Sequence, residues 1–192
     1  MSKIFLTSDL HFGHDKEFVW KVRGYDSVWD MNESLIEKWN GTVDDEDDVY
    51  VLGDLMLGDH AHIKYIKRLK GKLHIVLGNH DTAVREELYR KAHNVVEIAE
   101  VGIQLRYKKF RFILTHYPML TSNITKEHLT QITCNLHGHT HQRYTIPKDC
   151  PYMYHVGVDT HNGFPVLLDN IIEEMVDNYK EFYRQENINE KL

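Results

Sequence analysis

Five short polar blocks hold the residues best suited to chemistry: Asp9-Leu10-His11, Gly53-Asp54, Gly78-Asn79-His80-Asp81, Thr115-His116 and Gly138-His139-Thr140-His141. The densest stretch runs over residues 136–142, where His137, His139 and His141 alternate. An extended backbone projects alternate side chains to one side. A turn at Gly138 would still let at least two of them converge. Neutral imidazole is the commonest protein ligand for a transition metal, and several imidazoles crowded together make a poor apolar core. Asp9 and His11 add carboxylate oxygen to imidazole nitrogen, a mixed donor set that Mn, Fe, Co, Ni and Zn accept. Taken singly, each block also has a plain structural reading, as a polar strand end with satisfied ring nitrogens or, for Asp9, a turn cap. The 14 histidines in 192 residues still ask for a reason.

Each block follows a short apolar run that reads as a β-strand, at residues 3–8, 49–52, 72–77, 110–114 and 132–136. Open α/β sheets place their ligands at the carboxyl ends of such strands. Helical patterns fall between the runs. A short one covers residues 15–22. A longer one covers 27–39, with Ser27 or Asp30 to cap it and Val28, Met31, Leu35, Ile36 and Trp39 as a core-facing stripe. A third spans 60–69, with Ile63, Ile66 and Leu69 inward and His60 and His62 on its surface, and a fourth spans 82–91. This alternation predicts an α/β sheet built from crossover units. Beyond it, residues 95–100, 103–107 and 110–114 suggest hairpins, and 122–131 a helix or a long loop. Residues 144–146, 153–156 and 166–168 read as further strands. From residue 170 the tail is helical and amphipathic, suited to covering a sheet edge. No repeat or linker interrupts the pattern, so one domain over residues 1–192 is expected.

Composition narrows the class. With 23 basic and 29 acidic residues, the net charge of −6 argues against a long nucleic-acid footprint. Cys134 and Cys150 make neither a disulfide framework nor a closely spaced thiolate site. The acidic run at 44–48 lacks the spaced ligands and central glycine of an EF-hand and reads as a solvated turn. No apolar run reaches membrane-spanning length, and a cytoplasmic location is the default expectation.

In chain order the blocks run Asp-x-His, Gly-Asp, Gly-Asn-His-Asp, Thr-His and Gly-His-x-His. In that order and number they resemble the calcineurin-like metallophosphoesterase superfamily, in particular its small bacterial and phage-type members that consist of the catalytic domain alone. The likeness runs from Lys3 to about Leu168, and Val156-Gly157-Val158-Asp159 resembles a stretch that adjoins the site in that subgroup. It implies a four-layer αββα sandwich, two mixed β-sheets flanked by helices. It also implies two divalent transition-metal ions, Mn²⁺ first among Mn, Fe, Ni, Zn and Co. One would be held by Asp9, His11 and His141, the other by Asn79, His116 and His139, with Asp54 bridging and His80 as the acid.

The implied chemistry is physically coherent. Paired cations about 3.5–4 Å apart clamp a phosphoryl group and generate hydroxide at neutral pH, and a leaving alkoxide needs a proton. Asp81 either holds the tautomer of His80 or caps the following helix. His14 and Asn79 are candidates for substrate contact. His155, Asp159, His161 and Asn162 lie near the expected pocket mouth, where loop polarity alone would account for them. Superfamily protein phosphatases carry Gly-Asp-x-x-Asp-Arg-Gly, and here Leu57 and Gly58 replace the acid and the arginine. A small nucleotide-like phosphate ester or phosphodiester is therefore the expected substrate. The alternatives are a nuclease acting on short RNA or DNA and a non-catalytic scaffold. The sequence points to no membrane partner and leaves the oligomeric state open.

Overall fold

A computed structural model describes residues 2–121 and 129–189, with side chains to residue 184. The elements run β1 (Ile4–Thr7), α1 (Glu17–Trp20), α2 (Val28–Thr42), β2 (Asp48–Leu52), α3 (Ile63–Ile66), β3 (Lys72–Val76), α4 (Ala83–Arg90), β4 (Val95–Ala99), β5 (Gly102–Tyr107), β6 (Phe110–Thr115), β7 (Thr133–His137), β8 (Met153–His155), β9 (Val166–Leu167) and α5 (Leu168–Asn189). They form two mixed sheets with flanking helices. The five-stranded sheet has the order β4-β3-β2-β1-β9, parallel except for the β1–β9 pair. The four-stranded sheet has the order β5-β6-β7-β8, antiparallel only between β5 and β6.

Strand alternation divides the apolar residues between two cores. In the five-stranded sheet Phe5, Val49, Val51 and Ile75 face α2–α4, where Met31, Leu35, Trp39, Ile66 and Tyr89 pack. Their neighbours Leu6, Tyr50, Leu52 and Val76 face the other way, into a cluster with Phe112, Leu114 and Leu136 of the second sheet and Leu168, Ile171 and Met175 of α5. Each fully buried large side chain contributes about 1.5–3 kcal/mol. Trp39 also satisfies its indole N–H on the Lys70 carbonyl at 2.9 Å. Ser27 caps α2, its Oγ accepting the Asp30 N–H at 3.0 Å, and the expected apolar stripe of α2 is buried or half-buried.

Several elements depart from the sequence reading. Residues 95–99 do not open a hairpin: β4 pairs in parallel with β3, and the chain changes sheets at Glu100-Val101 before β5. Residues 144–146 form no strand; Ile146 is buried from a loop. The helix expected over 15–22 shortens to the four residues of α1, because Arg23 turns inward to the site and Gly24 follows at φ +85°. The helix expected over 60–69 is a 3₁₀ turn at His60–His62 followed by α3. Most of the segment read as a helix or loop at 122–131 lies outside the described residues. Both cysteines are free.

Candidate metal centre

The loops after β1, β2, β3, β6 and β7 converge at one end of the two sheets. The first two loops continue the strands' alignment: the Asp9 N–H donates to the Gly53 carbonyl, the His11 N–H to the Asp54 carbonyl and the Phe12 N–H to the Leu55 carbonyl, at 2.9–3.0 Å. This pairing sets Asp9, His11 and Asp54 side by side, all buried. From the second sheet, His139 donates its backbone N–H to both Asp9 carboxylate oxygens at 3.1 and 3.0 Å. Gly138 makes that approach possible, since a Cβ there would lie 2.5 Å from Ser8 Oγ and 2.7 Å from Asp9 Oδ2. At Gly53, φ is +89° and a Cβ would lie 2.3 Å from the His116 ring.

Among the described residues, two groups of side chains can each hold an ion: Asp9, His11 and His141, and Asp9, Asp54 and His116, with the ligand atoms of each within 4.8 Å of one another. Asn79 Oδ1 lies 2.8 Å from His116 Nε2 and 2.9 Å from His139 Nδ1. Asp54 Oδ2 sits between the two ends, 3.7 Å from His11 Nε2 and 3.6 Å from His116 Nε2. Five of the seven described non-glycine residues at positive φ are Asp9, His11, Asp54, His139 and His141, at +47° to +68°. Non-glycine residues enter that region at a cost and persist there where the surrounding structure compels it.

The donor chemistry of the cluster fits cations. His116 Nδ1 faces the Leu52 carbonyl at 2.8 Å, so Nδ1 carries the proton and Nε2 presents a lone pair to Asp54 and Asn79. His141 Nδ1 faces the Asp159 carboxylate at 2.6 Å, which likewise turns the Nε2 lone pair towards His11 Nε2, 3.3 Å away. Lone pairs and carboxylate oxygens thus confront one another with few protons between them, an arrangement that metal ions relieve. Protonation relieves this only in part: it is favoured at the buried Asp9 carboxyl and at the His141 ring beside the Asp159 carboxylate, and opposed at the His11 ring. Burial, then Arg23 and the neighbouring histidines, holds His11 down at about 2, and burial pushes the Asp9 carboxyl up. Burial alone would raise Asp159 too, but hydrogen bonds and charge from His141 and Arg23 outweigh it and hold the carboxyl well below its usual range.

All seven sequence-predicted ligands, Asp9, His11, Asp54, Asn79, His116, His139 and His141, come together. His80 lies beside them, exposed, its ring centroid 5.6 Å from that of His11 and its backbone N–H donating to Asp54 Oδ1 at 2.9 Å. His14 stands next to His11, ring centroids 5.4 Å apart. Asp81 takes neither role foreseen for it. Its Oδ2 accepts the Asp54 and Gly78 N–H groups at 2.7 and 2.9 Å, its Oδ1 accepts the Tyr89 hydroxyl at 2.7 Å, and Thr82 holds the N-cap position of α4. Asp81 therefore ties the Asp54 and Asn79 loops together. Of the residues near the pocket mouth, Asp159 reaches the site, whereas His155 is fully buried and His161 donates to the His155 carbonyl.

Sequence reasoning missed Arg23. Its guanidinium grips Asp159 through Nε at 2.8 Å and Nη2 at 3.2 Å, and donates to the Asp9 and Leu10 carbonyls at 2.7 and 3.1 Å. Nothing in the local pattern marks it, because it follows a four-residue helix and its partner lies 136 positions away.

Two mixed sheets with a histidine–carboxylate cluster at their strand ends define a metal-dependent phosphoesterase. The chain belongs to the calcineurin-like phosphoesterase superfamily, whose domain model matches residues 2–158. It is 31% identical over 182 residues to the uncharacterized protein MJ1445 of Methanocaldococcus jannaschii, covering 90% of this chain and 91% of that one. It is 29% identical over 207 residues to the gene 66 protein of Mycobacterium phage D29, covering 94% and 99%. Among solved structures, the AQ665 protein of unknown function from Aquifex aeolicus shares the fold at a TM-score of 0.67 and 21% identity, covering 90% of this chain and 99% of that one.

Proposed function

We propose that the chain is a binuclear phosphoesterase that hydrolyses a small phosphate ester or phosphodiester, with His80 as general acid. The observation that carries this reading is the pair of overlapping ligand groups that share Asp9, with Asp54 Oδ2 between them. Asp9, His11 and His141 would hold one ion, and Asn79, His116 and His139 the other, with Asp54 reaching both. Bound there, divalent ions supply Lewis-acid stabilisation of the phosphoryl group and activation of water. Manganese is the first candidate among the several ions that accept mixed oxygen and imidazole donors.

The chain's own residues divide the remaining work. Buried Asp9 and Asp54 contribute the negative charge that lets two dications approach each other. Asp81 and Tyr89 keep the Asp54 backbone in place. His80 is fixed by its main chain, its N–H on Asp54 and its carbonyl on Arg85, which leaves the imidazole free to donate a proton to a departing alkoxide. His14 stands on the same rim.

The test compares His80→Ala with the parent after metal reconstitution. Both should bind two metals, and the variant should lose about 10²–10⁴ in rate on an alkyl ester, with a smaller loss on a p-nitrophenyl ester whose leaving group needs no proton. An unchanged alkyl-ester rate removes His80 from the acid's role. Failure of the reconstituted parent to bind metal removes the whole reading.

A further inference from the structure

Among the described residues, a cavity of about 740 Å³ adjoins the candidate metal centre, within the range of small-molecule sites. His11, His14, His80 and His141 form its inner end, while Asn79, His116 and His139 do not line it. The cavity is therefore one-sided. It opens from the His11–His141 half of the centre and runs between α1 and the loop of residues 158–163.

The walls differ in character from the inner end. Phe18 of α1 and Val22 just past its end stand 70% and 64% exposed, with Val19 and the buried Val158 beside them. Phe18 meets the His14 ring edge-on at 5.7 Å. Below them the Arg23–Asp159 pair forms a floor whose polar groups are already matched to each other and to the site. At the outer rim Arg143 is exposed and has no ion-pair partner among the described residues. Exposed apolar side chains gathered in a cavity mark a place for an apolar ligand surface. A guanidinium free of carboxylates favours a π-face or an anion.

We propose that this cavity seats a nucleoside, so that the substrate is a nucleotide-derived phosphoester whose base lies against Phe18 and Val22 with Arg143 at its edge. The proposal rests on the phosphoesterase reading above. Three observations favour it. The cavity is continuous with the metal centre, so a group bonded to the phosphorus enters it directly. Its apolar wall and unpaired cation match the two faces of a nucleotide, whereas a short alkyl phosphate would leave both unused. The one-sided opening holds one substituent, and the net charge of −6 disfavours a polymer that would extend past it.

Metal-loaded protein is titrated calorimetrically with inorganic phosphate, ribose 5-phosphate and 5′-AMP. The expected result is AMP binding about tenfold more tightly than ribose 5-phosphate, a margin that one stacked base supplies. Phe18→Ala and Val22→Ala should each narrow that margin. Phe18 and Val22 are exposed, so neither change threatens the fold. Equal binding of AMP and ribose 5-phosphate by a protein that binds phosphate overturns the nucleoside subsite and leaves the phosphoesterase reading standing. An AMP preference that survives both substitutions overturns the location. Loss of phosphate binding itself, with metals loaded, removes both.

Discussion

Asp159 stands behind one end of the candidate metal centre and does not belong to its ligand groups. It accepts the His141 Nδ1 proton at 2.6 Å, which fixes the ring's tautomer and aims Nε2 at His11, and it is itself gripped by Arg23. Partners of this kind typically contribute 10–100-fold in metal affinity. Asp159→Asn keeps the volume but loses the charge and leaves Arg23 half-paired. It should weaken metal binding at the Asp9–His11–His141 group by about 10–100-fold and leave the group around His116 closer to the parent. A two-site metal titration reads this directly, and equal weakening of both sites would contradict it. The seven ligand candidates were legible in the sequence because each ends an apolar run and bears a metal-binding side chain. Asp159 is legible only as one polar residue among several near the expected pocket mouth, and Arg23, three residues past the end of α1, carries no local mark; only folding reveals their salt bridge. Asp81 misled for a related reason. Its short distance from His80 in sequence suggested a tautomer clamp, but its carboxylate turns inward to the backbone of Asp54 and Gly78.

At the level of elements, strand register decides which histidines serve the site and which are spent in the core. β7 and β8 pair in parallel with His137 opposite His155. Both are buried, their ring centroids are 5.5 Å apart, and neither Nε2 has a partner. Thr160 donates its hydroxyl to the Gln142 carbonyl, so it accepts the His155 Nδ1 proton at 2.7 Å and leaves Nε2 a bare lone pair. Burial first, then the neighbouring His137 and His161, lowers His155 to about 3, against a partial opposing pull from Asp159. The unfolded chain protonates this histidine below about 6.5, while the folded chain keeps it neutral. Stability is therefore undiminished above pH 6.5 and falls as pH drops towards 3, by about 2 kcal/mol from this residue at pH 5. Urea unfolding with chelator present, so that metal release adds nothing, should show His155→Asn losing less stability between pH 7 and pH 5 than the parent. Parallel slopes would refute the buried neutral histidine. The sequence reading erred at the same level, on the pairing of β4. Periodicity identified the strand, but two short strands joined by a two-residue break look alike whether they form a hairpin or belong to different sheets.

For the whole molecule, the centre joins the two sheets. Asp9, His11, Asp54 and Asn79 come from the ends of β1, β2 and β3, while His116, His139 and His141 come from β6 and β7. Direct ties between the halves at this end include the His116 Nδ1 hydrogen bond to the Leu52 carbonyl, the His139 N–H to Asp9 and the Ser8–Gly157 bridge. Ligands spread from residue 9 to residue 141 meet only in the folded chain, so bound ions stabilise that state by mass action. At a hundredfold excess over Kd a single ion contributes about 2.7 kcal/mol, which in a chain of this length raises Tm by about 5–10 °C. Thermal unfolding should therefore shift downward by that amount with chelator and recover when Mn²⁺ is restored, with Tm rising as free metal increases. Asp54→Ala should abolish most of the recovery, because its carboxylate faces both groups. His80→Ala should keep it, because that side chain lies outside the ligand set. A Tm indifferent to metal in the parent would mean that the two sheets hold this cluster without ions, and it would undo the assignment of these seven side chains to a metal centre.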